Sequence, residues 1–341
     1  MNEARLLVSR MGRESGLAGL LPPLARALLL AGLWVLLAGC SGSPLQAPPA
    51  DPRPPGPETP GPEPEWVTAA VTAMNVQRIL FHSEAIGREV SAHVYLPDAY
   101  STDPSRRFPV LYWLHGSGPG IQGIPFLANF FHQGMARGDL GPAIIVFPNG
   151  LPQGMWVDSK DFRQPMETIL MKELIPHVDQ RFRTLGTREG RIIEGFSMGG
   201  YGAARLGFKY SETFGGISIL GAGPLQLDFL AEGPRSSLAR RQEILDVVYG
   251  GSLEYFQAQS PWRLAEALAG NDPRGPGVPI RLVVGEQDEL LEINRRFHQH
   301  LTALGIPHDF VDLPGVGHSP AATLQALGPA HWAFYRQVFG P

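Results

Sequence analysis

Five continuous apolar runs, each closed by turn residues, constrain this chain more than any other feature. They are "FPVLYWLHG", "AIIVFPNG", "RIIEGFS", "GGISILGAG" and "IRLVVGEQD". A strand that is apolar on both sides has to be covered on both faces, so runs of this kind fit the interior of a parallel sheet. Helical patterns separate them. "IPFLANFFHQGMAR" precedes the second run and "METILMKELIPHVDQRF" the third; "SMGGYGAARLGFKY" follows the third and "LLEINRRFHQHLTALG" the last. Alternation of strand and helix predicts an α/β fold with a mostly parallel, doubly wound sheet. Before these runs, "VQRILFHS" (76–83) and "REVSAHVYLP" (88–97) alternate and carry β-branched and aromatic residues, which predicts an antiparallel pair at a sheet edge. Residues 224–276 break the rhythm and are expected to form a mostly helical insertion over the strand ends.

The fold need not use the whole chain. Arg5, Arg10, Arg13 and Arg26 precede the apolar run "ALLLAGLWVLLA" (27–38), a combination expected of an export signal over residues 1–39. The run ends in "LAGC", whose Cys40 is the only cysteine. That context resembles a bacterial lipobox and implies a lipid anchor on Cys40, with the protein exported and held at a membrane. "SGSPLQAPPADPRPPGPETPGPEPE" (41–65) is too rich in proline, glycine and small polar residues to bury apolar area. Residues 40–65 are therefore expected to be a tether, and residues 66–341 one domain large enough for its own core.

Composition narrows the chemistry. The whole chain carries 28 Lys and Arg against 32 Asp and Glu, and without residues 1–39 the balance is 24 against 30. An acidic chain without basic runs lacks the electrostatic footprint of a nucleic-acid binder. One cysteine leaves no internal disulfide, no thiol nucleophile within the domain and no cysteine metal site. No His/Asp/Glu spacing resembles a ligand set, and neither a metal nor another cofactor is expected.

Chemistry concentrates in "GFSMGG", where Gly195-x-Ser197-x-Gly199 joins a predicted strand to a predicted helix. An abrupt strand-to-helix turn would lift the Ser197 hydroxyl above the sheet, and flanking side chains would collide with neighbouring backbone. The hydroxyl needs a base, and the base an orienting acid. "EQDELL" after the last apolar run offers Asp288, in the loop before a helix starting near Leu290, with Glu286 as the second choice. "VGHSP" offers His318, flanked by glycine and proline beyond "HDFVDLPG". Backbone N–H groups of Met198 and Ser117, the latter in "LHGSG", are expected to form an oxyanion hole.

These residues resemble the esterase family that includes esterase D, enterochelin esterase, feruloyl esterase and the antigen 85 mycolyltransferases. "YWLHGSG", "MWVDS", "ELIPHVDQRFRT", "EGFSMGGYGAARLG", "YSETFGGIS", "YGGSLEYFQAQSP", "GEQDELLEINRRFHQHL" and "LPGVGHS" carry the likeness over most of residues 76–339. It implies an α/β-hydrolase fold and a Ser197–Asp288–His318 triad acting through an acyl-enzyme on a small ester. It also places Trp156 and Asp158 at the pocket wall, beside His115 and Gly116. Two pairs depart from the family pattern: Ser319-Pro320 stands where many relatives have Asp-Trp, so the pocket rim should differ, and Tyr210-Ser211 stands where His-Pro is usual. The same acyl-enzyme would serve an acyltransferase, and the scaffold could also carry a surface-binding lipoprotein without activity.

Overall fold

The computed structural model describes residues 63–231, 235–271 and 276–340. The expected export signal, Cys40 and all but the last three residues of the expected tether lie outside the described residues. Trp66, near the start of the described residues, is buried, and its carbonyl accepts hydrogen bonds from Ser91 N–H (3.0 Å) and Asn149 Nδ2 (3.1 Å).

Eight strands form one sheet in the order β1-β2-β4-β3-β5-β6-β7-β8. They are β1 (Val76–Ser83), β2 (Arg88–Tyr95), β3 (Val110–Leu114), β4 (Ile144–Pro148), β5 (Arg191–Phe196), β6 (Gly216–Leu220), β7 (Ile280–Gly285) and β8 (Asp309–Leu313). β2 runs antiparallel to both β1 and β4, and every pairing from β4 to β8 is parallel. The edge hairpin and the five apolar runs fall where the sequence places them. β8, at the far edge, is only partly buried, so its pattern is weaker.

Alternation along each inner strand feeds two apolar layers. Val110, Tyr112 and Leu114 of β3 join one with Ile193, Ile217, Tyr201 and Phe297. Leu111 and Trp113 join the other with Ile192, Val283, Phe131 and Trp332. Between β6 and β7, the described residues of the insertion carry three helices, Leu238–Tyr249, Leu253–Ala258 and Pro261–Asn271. A final helical stretch, Pro320–Phe339, has no counterpart in the sequence reading. Gly328, at φ 50°, and the following Pro329 break its periodicity in the middle. Among the described residues, no helix is long and apolar enough to cross a membrane.

One buried charge cluster locks this second layer. Arg281 on β7 donates through Nη2 to Glu194 Oε2 on β5 (2.7 Å) and through Nε to Ser218 Oγ on β6 (2.8 Å). Tyr335 OH donates to Glu194 Oε1 (2.8 Å), and the Arg281 guanidinium lies 4.3 Å from the Phe334 ring centroid. Three adjacent strands and the C-terminal helix are thereby joined through one carboxylate–guanidinium pair.

Candidate active site

β5 ends at Phe196 and a helix runs from Met198 to Lys209, leaving Ser197 alone in the turn at φ 61°, ψ −119°. This is a strained backbone for a residue with a Cβ. The two glycines of the motif make it possible. A Cβ at Gly199 would stand 1.9 Å from the Leu114 carbonyl oxygen, and one at Gly195 would stand 2.3 Å from that of Gly199. Backbone crosses backbone too closely there for any side chain.

Asp288 and His318 arrive from loops that are stitched together. Glu286 N–H donates to Leu313 O (2.9 Å) and Gln287 N–H to Val316 O (2.9 Å). The approach depends on Gly285, where a Cβ would lie 2.0 Å from Val316 O. The result is a chain of contacts: His318 Nδ1 is 2.7 Å from Asp288 Oδ2, and His318 Nε2 is 2.9 Å from Ser197 Oγ. An ionised carboxylate only accepts, so Nδ1 carries the proton and donates, and Nε2 is left to accept from the hydroxyl. Asp288 is held in turn by Leu290 N–H, which donates to Oδ1 (2.9 Å). Both side chains are shielded, 1 % exposed for Asp288 and 8 % for His318. Glu286, the second choice for the acid, is exposed and outside this chain of contacts.

The loop after β3 meets Ser197 through Gly116, where a Cβ would approach Ser197 Cβ to 3.2 Å. Met198 opens its helix, so its N–H has no carbonyl one turn earlier to bind. Ser117 N–H donates to no backbone carbonyl among the described residues. His115 fixes this loop from behind. Its Nδ1 lies 2.7 Å from Gly116 O, and its Nε2 accepts from Gly150 N–H (3.0 Å). Burial lowers its pKa to about 4 against the opposing pull of the Gly116 carbonyl, so the imidazole is neutral above that pH.

A cavity of about 510 Å³ opens over Ser197 and His318. Of the residues expected at the pocket wall, His115 and Gly116 line it, as does Ser117, whereas Trp156 and Asp158 do not. Trp156 is fully buried, its indole filling the space beside Gly150 and Gly202 while Nε1 donates to His115 O (3.2 Å). Asp158 turns away and accepts from Thr168 N–H (2.9 Å) and Thr168 Oγ1 (2.7 Å). The backbone explains the exchange: Met155 and Trp156 both have positive φ, 52° and 54°, and Met155 joins the wall instead. Phe126, Leu127, Phe196 and Leu290 supply apolar surface, and Phe229, Arg240 and Ile244 bring the insertion onto the rim. Pro320 lines the cavity, and Ser319 caps the helix it starts, its side chain accepting from Ala322 N–H (3.3 Å).

One buried pair supports the site without any motif in the sequence to mark it. Arg205, on the helix after Ser197, donates to Trp156 O (2.7 Å) and pairs with Glu167 at 2.7 Å. Lys209 Nζ (2.6 Å) and Tyr210 OH (2.6 Å) complete the shell of Glu167. The signal was present as a lone arginine inside "GGYGAARLGF". Burial alone would raise the Glu167 carboxyl, but Arg205, then Lys209 and Tyr210, outweigh it and hold the pKa at about 2 against an ordinary 4.5. A depressed pKa gives stability that is complete above about pH 4.5 and is lost as pH falls towards 2. It is worth on the order of 3 kcal/mol. Glu167→Gln is therefore expected to cost most at pH 7 and progressively less below pH 4. Denaturant unfolding at pH 7 and pH 3 checks this, and an equal cost at both would contradict it.

Among the described residues, no group of three His, Cys, Asp or Glu side chains could hold a metal ion. An esterase of Mycobacterium tuberculosis is 31 % identical over 258 residues, covering 70 % of this chain and 54 % of that protein. An endo-1,4-β-xylanase/feruloyl esterase of Xylanibacter ruminicola is 32 % identical over 157 residues, covering 44 % and 22 %. The chain thus spans about half the length of the first of these relatives and less of the second. Among solved structures, a ferulic acid esterase superposes with a TM-score of 0.64 at 23 % identity, over 76 % of this chain and 97 % of that one. An S-formylglutathione hydrolase of Agrobacterium tumefaciens gives 0.62 at 18 % identity, over 80 % and 99 %. These superpositions show the α/β-hydrolase fold. Residues 83–318 match the family described as "Putative esterase", and the chain belongs to that family.

Proposed function

We propose that the protein is a serine esterase that cleaves a carboxylic ester through an acyl-enzyme, with Ser197 as nucleophile, His318 as base and Asp288 as orienting acid. The observation that carries this reading is the unbroken hydrogen-bonded path from Asp288 through His318 to a hydroxyl held at a strained turn. Family membership and the names of the relatives support ester chemistry. His318 Nε2 takes the hydroxyl proton as Ser197 Oγ adds to the ester carbonyl. Met198 and Ser117 N–H groups then receive the negative charge on oxygen, helped by the positive end of the helix that Met198 begins. The imidazolium returns its proton to the departing alcohol. Water, deprotonated by the same imidazole, releases the acid and regenerates Ser197. Asp288 stabilises the imidazolium and keeps the proton on Nδ1. Neither step requires a cofactor.

Purified protein is expected to hydrolyse p-nitrophenyl acetate with a burst of phenolate no larger than the enzyme concentration. Adding a small alcohol should leave free acetic acid as the main product. Predominant transfer of acetyl to the alcohol would instead identify an acyltransferase, and absence of turnover would remove the esterase reading.

A further inference from the structure

Among the described residues, the charge of the cavity lining is one-sided. Arg235 and Arg240 line it together with Gln122, Gln153 and Gln226, and among the described residues no aspartate or glutamate does. Ser236, Arg240 and Ile244 recur every fourth residue, so a single stripe of helix Leu238–Tyr249 and the residues before it faces the cavity. Each arginine has an acidic neighbour outside the cavity: Arg235 Nη1 donates to Glu289 Oε2 (2.6 Å), and Arg240 pairs with Glu243. All four side chains in these pairs are 39–58 % exposed, and ion pairs so open to water hold their partners weakly. A guanidinium offers five donors in a planar fork, so either arginine can keep its glutamate and still present N–H groups to a second anion.

Resting on the esterase reading, we propose that Arg235 and Arg240 form an anion-recognising rim, and that the preferred substrate is an ester bearing a carboxylate or similar negative group on its alcohol or acyl part. The apolar floor made by Phe126, Leu127, Phe196 and Leu290 takes the body of the substrate. The arginines read the charge at its outer end. The rim selects substrate and takes no part in bond making, so its effect lies in discrimination between esters that react in the same way.

Two matched pairs of esters test this. In the first, 4-acetoxybenzoate is compared with its methyl ester, which places the charge on the alcohol part. In the second, 4-nitrophenyl 4-carboxybenzoate is compared with its methyl ester, which places the charge on the acyl part. The readout is the ratio of kcat/KM for charged over neutral ester, so a general loss of activity cancels. In at least one pair, Arg235→Gln/Arg240→Gln is expected to lower that ratio about tenfold, mainly through KM for the charged ester. Arg235→Lys/Arg240→Lys should retain most of the ratio, and raising the ionic strength of the wild type should lower it. A ratio unchanged by the glutamine substitutions in both pairs, with neutral esters still hydrolysed, would overturn the rim and leave the esterase reading intact. Hydrolysis of none of the four esters would overturn both.

Discussion

Ser197→Ala is expected to reduce hydrolysis of p-nitrophenyl acetate by about 10⁴-fold or more without unfolding the protein. Alanine keeps the Cβ and therefore the same backbone demand at φ 61°, so the turn should persist. Only the oxygen that His318 Nε2 contacts at 2.9 Å is removed. Residual turnover should reflect the two N–H groups and substrate binding alone. Steady-state kinetics beside a thermal melt separates the outcomes. Loss of activity at an unchanged Tm fits the account, and activity within a few-fold of wild type would end it.

The largest effect on stability should come from Arg281. Glu194 is fully buried and Arg281 is 4 % exposed, so Arg281→Met would leave a carboxylate in the core with Tyr335 and no cation. Breaking a buried pair from one side costs about 3–5 kcal/mol, because the remaining charge is uncompensated. Replacing both partners, as Glu194→Leu/Arg281→Met, removes the stranded charge and should cost much less than the single change. Denaturant unfolding of the two single variants and the double variant measures that coupling. Additive costs would mean that the pair does not act as a unit. Because Arg281 also reaches His331 O (3.3 Å), on the helical stretch that starts two residues after His318, the single variant should lose activity along with stability.

Much of this architecture is legible in the chain because the inner strands are buried on both faces and are written as unbroken apolar runs. The serine turn is legible because close backbone contact admits only glycine at positions 195 and 199. Asp288 and His318 can be picked out by their place after strand signals, although what brings them together, the seam between residues 285–287 and 313–316, leaves no local pattern. The cavity wall is less readable. Whether Met155 or Trp156 faces the opening depends on two positive φ angles that neither residue type announces. The buried acid–base pairs escape periodicity analysis for the opposite reason. Glu194 and Arg205 interrupt otherwise apolar segments, and a charge in such a place marks a partner whose identity only the fold supplies. The C-terminal helical stretch is obscured by Gly328 and Pro329 at its centre.

The central claim is that Asp288 and His318 make one particular hydroxyl reactive. Treatment with a fluorophosphonate, followed by digestion and peptide mass spectrometry, tests it most directly. A single covalent adduct on Ser197 is expected in the wild type, with its loss or severe slowing in His318→Ala. An unlabelled Ser197, an adduct on another residue, or labelling at the same rate without the imidazole would contradict it.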